Sequence, residues 1–258
     1  MTAHKTIMID QLSVCSLFLE ARVCGKPLGT ATGFCVEFKG RKFLVTNWHV
    51  VTGRDPDTGK VLSPTGGLPD ELAIRHHSSA NVGTWIFKTE RLQTPTGQNA
   101  WYEHPRGSAV DVIALPLDST TSDIQFYPLN LGLADFDMVV HVAMPVSIIG
   151  FQFGLGAAGS WPIWKTGHIA SDPDLDYDGR PAFLIDATTR GGMSGSPVVL
   201  RSYGGYASSK GHITVGGGPA TRFLGVYSGR IHDLAEIGRV WRPSVIEEIL
   251  ATVPPANS

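Results

Sequence analysis

The sequence predicts an all-β fold, a sandwich or a barrel, ending in one short helix. Two observations carry this. Short runs of alternating or β-branched residues recur along the chain, each bounded by Gly, Pro or Asp, and many short strands between turn signals are the pattern of sandwiches and barrels. Only one segment has a convincing helical period, and it lies near the end of the chain.

In chain order the expected strands cover residues 12–21, 33–38, 42–46, 71–74, 84–88, 111–115, 139–142, 146–151, 162–171, 182–185, 196–201 and 223–228. The helix covers 243–252. Ser244 is its candidate cap, Glu247 follows three residues later, and Val245, Ile246, Ile249 and Leu250 share one face. Asp118-Ser119-Thr120-Thr121-Ser122-Asp123 reads as a linker, which divides the chain near 117–127 into domains of residues 1–120 and 121–258. Two long loops remain, 53–70, rich in Gly, Pro and Asp, and 201–220, with six glycines. Loops of that length in compact domains are usually functional or mobile.

With 258 residues, 42% hydrophobic and 17% charged, the composition is that of a folded chain. A net charge of −2 without a Lys/Arg cluster argues against nucleic acid as a direct partner. Charges at Lys5, Asp10, Glu20 and Arg22 interrupt the N-terminal segment before it takes signal-peptide form. No stretch is long enough to span a membrane, so no membrane association and a cytoplasmic location are expected. Cys15, Cys24 and Cys35, an odd count without an export signal, are expected as reduced thiols. The histidines, His76, His77 and His168 among them, lack companions at metal-ligand spacing, so neither a metal nor another cofactor is expected.

Three segments carry chemistry. Thr46-Asn47-Trp48-His49-Val50-Val51 supplies a histidine, Val110-Asp111-Val112-Ile113-Ala114-Leu115 an aspartate, and Gly191-Gly192-Met193-Ser194-Gly195-Ser196-Pro197 a serine. A serine hydroxyl becomes a nucleophile when an imidazole takes its proton, and the imidazole needs a carboxylate to fix its tautomer. Glycines beside the serine leave backbone N–H groups open to a developing oxyanion. The expected triad is therefore His49, Asp111 and Ser194, with the N–H groups of Gly192 and Ser194 as oxyanion donors. The chain order His, Asp, Ser separates this arrangement from α/β-hydrolases, where the serine comes first and sits in Gly-x-Ser-x-Gly. Here the serine is last, and position 196 is Ser.

The histidine segment resembles that of HtrA/Deg proteases and of bacterial glutamyl endopeptidases, and residues 186–197 resemble the serine segment of both groups. Stretches 149–155, 165–171 and 223–229 extend the likeness, which runs from about residue 29 to 231. The resemblance implies a chymotrypsin-like fold of two antiparallel β-barrels with a short C-terminal helix; unlike HtrA/Deg proteases, the chain is expected to lack an appended PDZ domain. His49 and Asp111 would lie in the first barrel and Ser194 in the second, with the triad spanning the cleft. It further implies that Thr188 and Thr189 form the base and wall of the primary substrate pocket, with Tyr227, Ser228, Gly229 and Arg230 as the far wall and substrate-pairing strand. Met193 departs from the digestive enzymes, which carry an aspartate there to receive a newly cut N-terminus, and from relatives that carry Asn. Tyr227 replaces the histidine that binds the substrate carboxylate in glutamyl endopeptidases.

Taken together these readings predict a bacterial, cytoplasmic serine endopeptidase that acts on proteins or peptides through an acyl-enzyme. Hydroxyls rather than a carboxylate at the pocket base disfavour Lys or Arg before the scissile bond, leaving small, polar or acidic residues, with Arg230 favouring acidic ones. The alternative is a catalytically silent protease-like domain that binds peptides by adding a strand or senses a partner. A regulatory protein partner is left open.

Overall fold

The computed structural model describes residues 8–117, 121–232 and 234–255. Strands β1 (Ser16–Val23), β2 (Lys26–Phe38), β3 (Arg41–Thr46), β4 (Glu71–Ser78), β5 (Trp85–Arg91), β6 (Tyr102–Glu103), β7 (Ile113–Pro116) and β8 (Ile124–Gln125) form one sheet. Its order is β5-β4-β1-β2-β3-β7-β6, with β8 paired to β4. The second half contains β9 (Pro145–Gly150), β10 (Ile163–Ile169), β11 (Ala182–Asp186), β12 (Pro197–Ser202), β13 (Gly205–Ala207), β14 (Ile213–Val215), β15 (Ala220–Arg230) and β16 (Ile237–Trp241). Six of these close a barrel in the order β10-β11-β16-β15-β12-β9, while β13 and β14 pair as a separate hairpin. All-β architecture with one short C-terminal helix is as the sequence predicts.

Each half has its own apolar core, and a third cluster joins them. Leu19, Leu44, Leu72 and Ile74 pack inside the first sheet, and Ile148, Ile185, Val198 and Val240 inside the barrel. Between them Phe34 and Phe43 meet Phe223 and Trp241, with Phe34 and Phe223 edge to face at 5.8 Å. Helix α3 (Ser244–Ala251; α1 and α2 are introduced below) buries Val245, Ile246, Ile249 and Leu250 in this joint. Each such side chain contributes about 1.5–3 kcal/mol by leaving water.

The helix face is as expected, but Ser244 does not cap it: Pro243 holds the N-cap place without a side-chain hydrogen bond, and Ser244 is the first helical residue. Two expected strands also differ. Residues 11–15 turn into helix α1 (Gln11–Cys15) because the Asp10 carboxylate accepts from Leu12 N–H and caps it. Residues 139–142 form no strand; the chain turns at Ala143, whose φ is +69°. Of the expected linker, residues 118–120 lie outside the described residues, and beyond them β8 still pairs with β4 of the first sheet. The loop expected at 201–220 holds the β13–β14 hairpin.

Cys15 and Cys35 are buried free thiols, pushed by burial up to about 11 and about 12, and Cys24 is a free exposed thiol. Among the described residues no helix is long and apolar enough to cross a membrane. No group of three His, Cys, Asp or Glu side chains among them comes together to hold a metal.

His76 and His77 sit buried on β4, where the His77 ring lies 4.4 Å from Trp85 and 5.6 Å from Trp161. Burial drives both imidazoles down to about 4, with the charge of His77 adding to the effect on His76 and that of Arg75 to the effect on His77. The unfolded chain, with ordinary histidines, binds more protons between these values, so stability falls as pH drops from about 6.5 toward 4. The loss at pH 5 comes to about 2 kcal/mol per histidine. Urea midpoints measured at pH 7 and pH 5 should show it, and His76→Leu should remove about half. An unchanged pH dependence in that variant would sink the assignment.

Candidate active site

β3 ends at Thr46, and the chain turns through Asn47 into a single helical turn, α2 (Trp48–Thr52), which carries His49. Gly53 ends this turn in the left-handed region, with φ +65°, and donates its N–H to His49 O. β3 pairs with β7 in a register that sets Thr46 opposite Ile113, which brings Asp111, just before β7, beside α2. Asn47 Nδ2 donates to Asp111 O at 2.7 Å and locks the two segments together.

Asp111 is buried and both its carboxylate oxygens are used. Oδ1 accepts from His49 N–H at 2.9 Å, and Oδ2 lies 2.7 Å from His49 Nδ1. A carboxylate can only accept, so Nδ1 carries the proton and Nε2 keeps its lone pair. The ring is mostly covered, with 17% of its side-chain surface exposed. Burial works to lower the His49 pKa, but the Asp111 charge and hydrogen bond, and Asp55 further off, outweigh it, and the net direction is up.

Ser194 lies on the turn before β12 and lines one cavity together with His49. No hydrogen bond joins their side chains among the described residues; catalytic contacts are often loose without substrate. Glycine is required twice in this turn. At Gly192, φ +94°, a Cβ would stand 2.2 Å from Phe151 O, and at Gly195, φ +83°, it would stand 2.0 Å from Thr32 O. Phe153 N–H donates to Gly191 O at 2.6 Å, and in a trans peptide this aims the Gly192 N–H the opposite way. Among the described residues neither Gly192 N–H nor Ser194 N–H donates to a backbone carbonyl, whereas Gly195 N–H is held by Tyr227 O at 2.8 Å.

Thr32 on β2, fully buried, ties this turn to the first sheet. Its N–H donates to Ser194 O at 2.8 Å, its Oγ1 donates to Gly192 O at 2.8 Å and accepts from Phe151 N–H at 3.0 Å. Its own carbonyl accepts from Thr46 Oγ1 at 2.8 Å, next to the histidine turn. Met193 needs no charged partner, because its side chain is buried in the barrel core.

The family model described as trypsin-like peptidase domain matches residues 31–205. The chain belongs to the trypsin-like peptidase domain family. No curated protein sequence matches it. Among solved structures it is similar to the Rv3671c protease from M. tuberculosis in its active form, at 18% identity over 95% of this chain and 83% of that one, with a TM-score of 0.51. It is also similar to the serine endoprotease from Yersinia pestis, at 14% identity over 96% of this chain and 69% of that one, with a TM-score of 0.52. These likenesses establish the chymotrypsin-like fold, and the family makes the chain a serine peptidase that takes protein or peptide substrates.

Of the residues expected at the substrate pocket of this peptidase, Ser228, Gly229 and Arg230 line a second cavity with His49 and Asp111. A methyl on Gly229 would stand 4.0 Å from Ser194 Oγ, so this strand end runs beside the serine. Thr188 is exposed. Thr189 and Tyr227 are 1% exposed, and their hydroxyls bond to one another. Sequence reasoning missed Thr32 and Asp55, and marked 149–155 for its likeness without placing it against the serine turn. The one signal for Thr32 was its place just before Gly33 in an expected strand.

Proposed function

We propose that Ser194 is the nucleophile of this peptidase, His49 its general base and then acid, and Asp111 the group that orients His49, with the N–H groups of Gly192 and Ser194 as the oxyanion site. The observation that carries the reading is the double hold of Asp111 on His49 at a cavity shared with Ser194. Ser194 Oγ attacks the peptide carbonyl carbon while its proton passes to His49 Nε2, and the oxyanion forms against the two free N–H groups. The C–N bond then breaks, the leaving amine takes the proton from Nε2, and water repeats the sequence to release the acid. In this reading residues 1–120 supply His49 and Asp111, and residues 121–258 supply Ser194.

On the acyl side, Ser228, Gly229 and Arg230 pair with substrate backbone, and the hydroxyls of Thr188, Thr189 and Tyr227 offer no charge to hold Lys or Arg. Small, polar or acidic residues fit there. The rival reading, a silent peptide-binding domain, has no use for an activated serine. A serine-directed fluorophosphonate distinguishes them: wild type should label and Ser194→Ala should not, and silence of the wild type would favour the binding domain.

The raised His49 pKa fixes the acid limb. A base must be neutral, so kcat/KM should fall as pH drops through a midpoint above the ordinary 6.5. Asp55 contributes to that rise from a distance. Asp55→Asn should therefore move the limb to lower pH with the plateau little changed; a shift to higher pH would contradict the electrostatic account.

A further inference from the structure

Two cavities that meet His49 among the described residues differ in character. One borders the strand end 228–230 and contains Asp55, Asp57, Arg230 and Arg239. The other opens toward β2, has a volume of about 180 Å³, and is walled by Leu28 and Ala31 of β2, Val50 of α2 and Leu62, Pro64 and Pro69 of the 53–70 loop. Thr189 and Tyr227 line neither. Two residues expected to line the primary acyl-side pocket are instead buried and bonded to one another. The Tyr227 ring lies against β16 so closely that a methyl on Gly238 would come within 2.4 Å of it, and its hydroxyl is taken by Thr189.

We propose that this peptidase selects its cleavage sites on the leaving-group side, by seating one large apolar side chain, that of the residue immediately after the scissile bond, in the cavity between β2 and the 53–70 loop. The proposal rests on Ser194 and His49 acting as described above. If the acyl portion runs along 228–230, the chain beyond the scissile bond passes Ser194 and His49 on their other flank, where this cavity opens. A cavity of about 150 Å³ with apolar walls accommodates benzene, so 180 Å³ accommodates one Leu, Met or Phe side chain. A charged side chain there would lose hydration without a partner.

The cavity is built before substrate arrives. Gly53 N–H holds His49 O at 2.9 Å, Leu62 N–H holds Gly53 O at 2.8 Å, and Asp70 N–H holds Arg22 O at 2.9 Å. Asp57, on the same loop, pairs with Arg180 and with Arg239 of β16 at 3.6 Å. Gly67 packs so near Leu28 that a Cβ would stand 2.9 Å from it. The loop whose Gly, Pro and Asp content marked it as long and irregular is thus a fixed wall.

The full chain, incubated with a proteome-derived peptide library and read by mass spectrometry, should cut with about tenfold enrichment of Leu, Ile, Met or Phe after the scissile bond. That enrichment should exceed any before the bond. Ala31→Leu, which fills the cavity, should shift the preference toward Gly, Ala and Ser, and Leu28→Glu, which sets a carboxylate in its wall, should cut the enrichment several-fold. Thermal melting confirms that each variant is folded, and the wild-type profile alone decides the matter if one is not. Ser194-dependent cuts without enrichment after the bond, or selected only before it, would overturn this inference and leave the triad standing. Absence of any Ser194-dependent cut together with no fluorophosphonate labelling would overturn the triad reading and this inference with it.

Discussion

Replacing Ser194 with Ala should lower kcat by on the order of 10⁶, the scale seen when a triad nucleophile is removed. Nothing in the architecture should change with it. The Ser194 side chain makes no hydrogen bond among the described residues, while its carbonyl, which Ala retains, is what Thr32 N–H holds at 2.8 Å. Gly192 and Gly195 keep the turn in its left-handed conformation. The melting temperature should therefore stay within about 2 °C of wild type, since partly exposed substitutions of this kind move stability by about 0.5 kcal/mol or less. Turnover of the purified variant within tenfold of wild type would remove Ser194 from the mechanism.

The legible parts of this protein were those whose signal is local. The longer strands of both halves showed because their apolar and β-branched runs end in turn residues, whereas the short β6, β8, β13 and β14 did not, and α3 showed because Val245, Ile246, Ile249 and Leu250 recur at helical spacing. The His49, Asp111 and Ser194 segments each carry their own residue pattern, and the fold sets Asp111 against His49 and places Ser194 on a cavity with it. What did not show depends on register and loop path. Helix α2 has five residues, too few to leave a period, and exists because Gly53 N–H turns back onto His49 O. Thr32 lies just outside the expected strand 33–38 and shows no role until β2 is laid against the serine turn, where it contacts Gly192, Ser194 and Phe151 at once.

Tyr227 illustrates the same limit from the opposite side. Its position on the strand that follows the serine in space was readable, but which way its ring points was not. The pairing of β15 with β16 shifts register between Tyr227 and Arg230, and the ring turns inward beneath Gly238 to meet Thr189. A residue expected to face substrate is thereby buried. Conversely, the 53–70 loop offered no periodicity, yet its backbone hydrogen bonds to His49 and Arg22 hold apolar side chains at the mouth of the site. In both cases tertiary contacts between segments far apart in sequence decide the chemistry of the cleft.

Asp111→Asn should depress kcat by about 10⁴ while leaving the fold intact, as in the chymotrypsin-type template when the histidine is held in the wrong tautomer. The geometry gives the reason. An Asn carbonyl oxygen can still accept from His49 N–H, as Oδ1 does at 2.9 Å, so the backbone anchor survives. Its amide then faces Nδ1 at the position now occupied by Oδ2, 2.7 Å away, and an amide there donates rather than accepts. The imidazole must answer with a lone pair on Nδ1, which moves its proton to Nε2, the atom that in the proposed mechanism receives the proton from Ser194. The negative charge that raises the His49 pKa is lost as well, so the acid limb of the residual activity should move to lower pH. Asn47 Nδ2 continues to hold the carbonyl of residue 111, which keeps the segment in place and separates this effect from unfolding. A loss smaller than tenfold, with the acid limb unmoved, would shift the orienting role away from Asp111, and Asp55, which also acts on His49, would be the next carboxylate to replace.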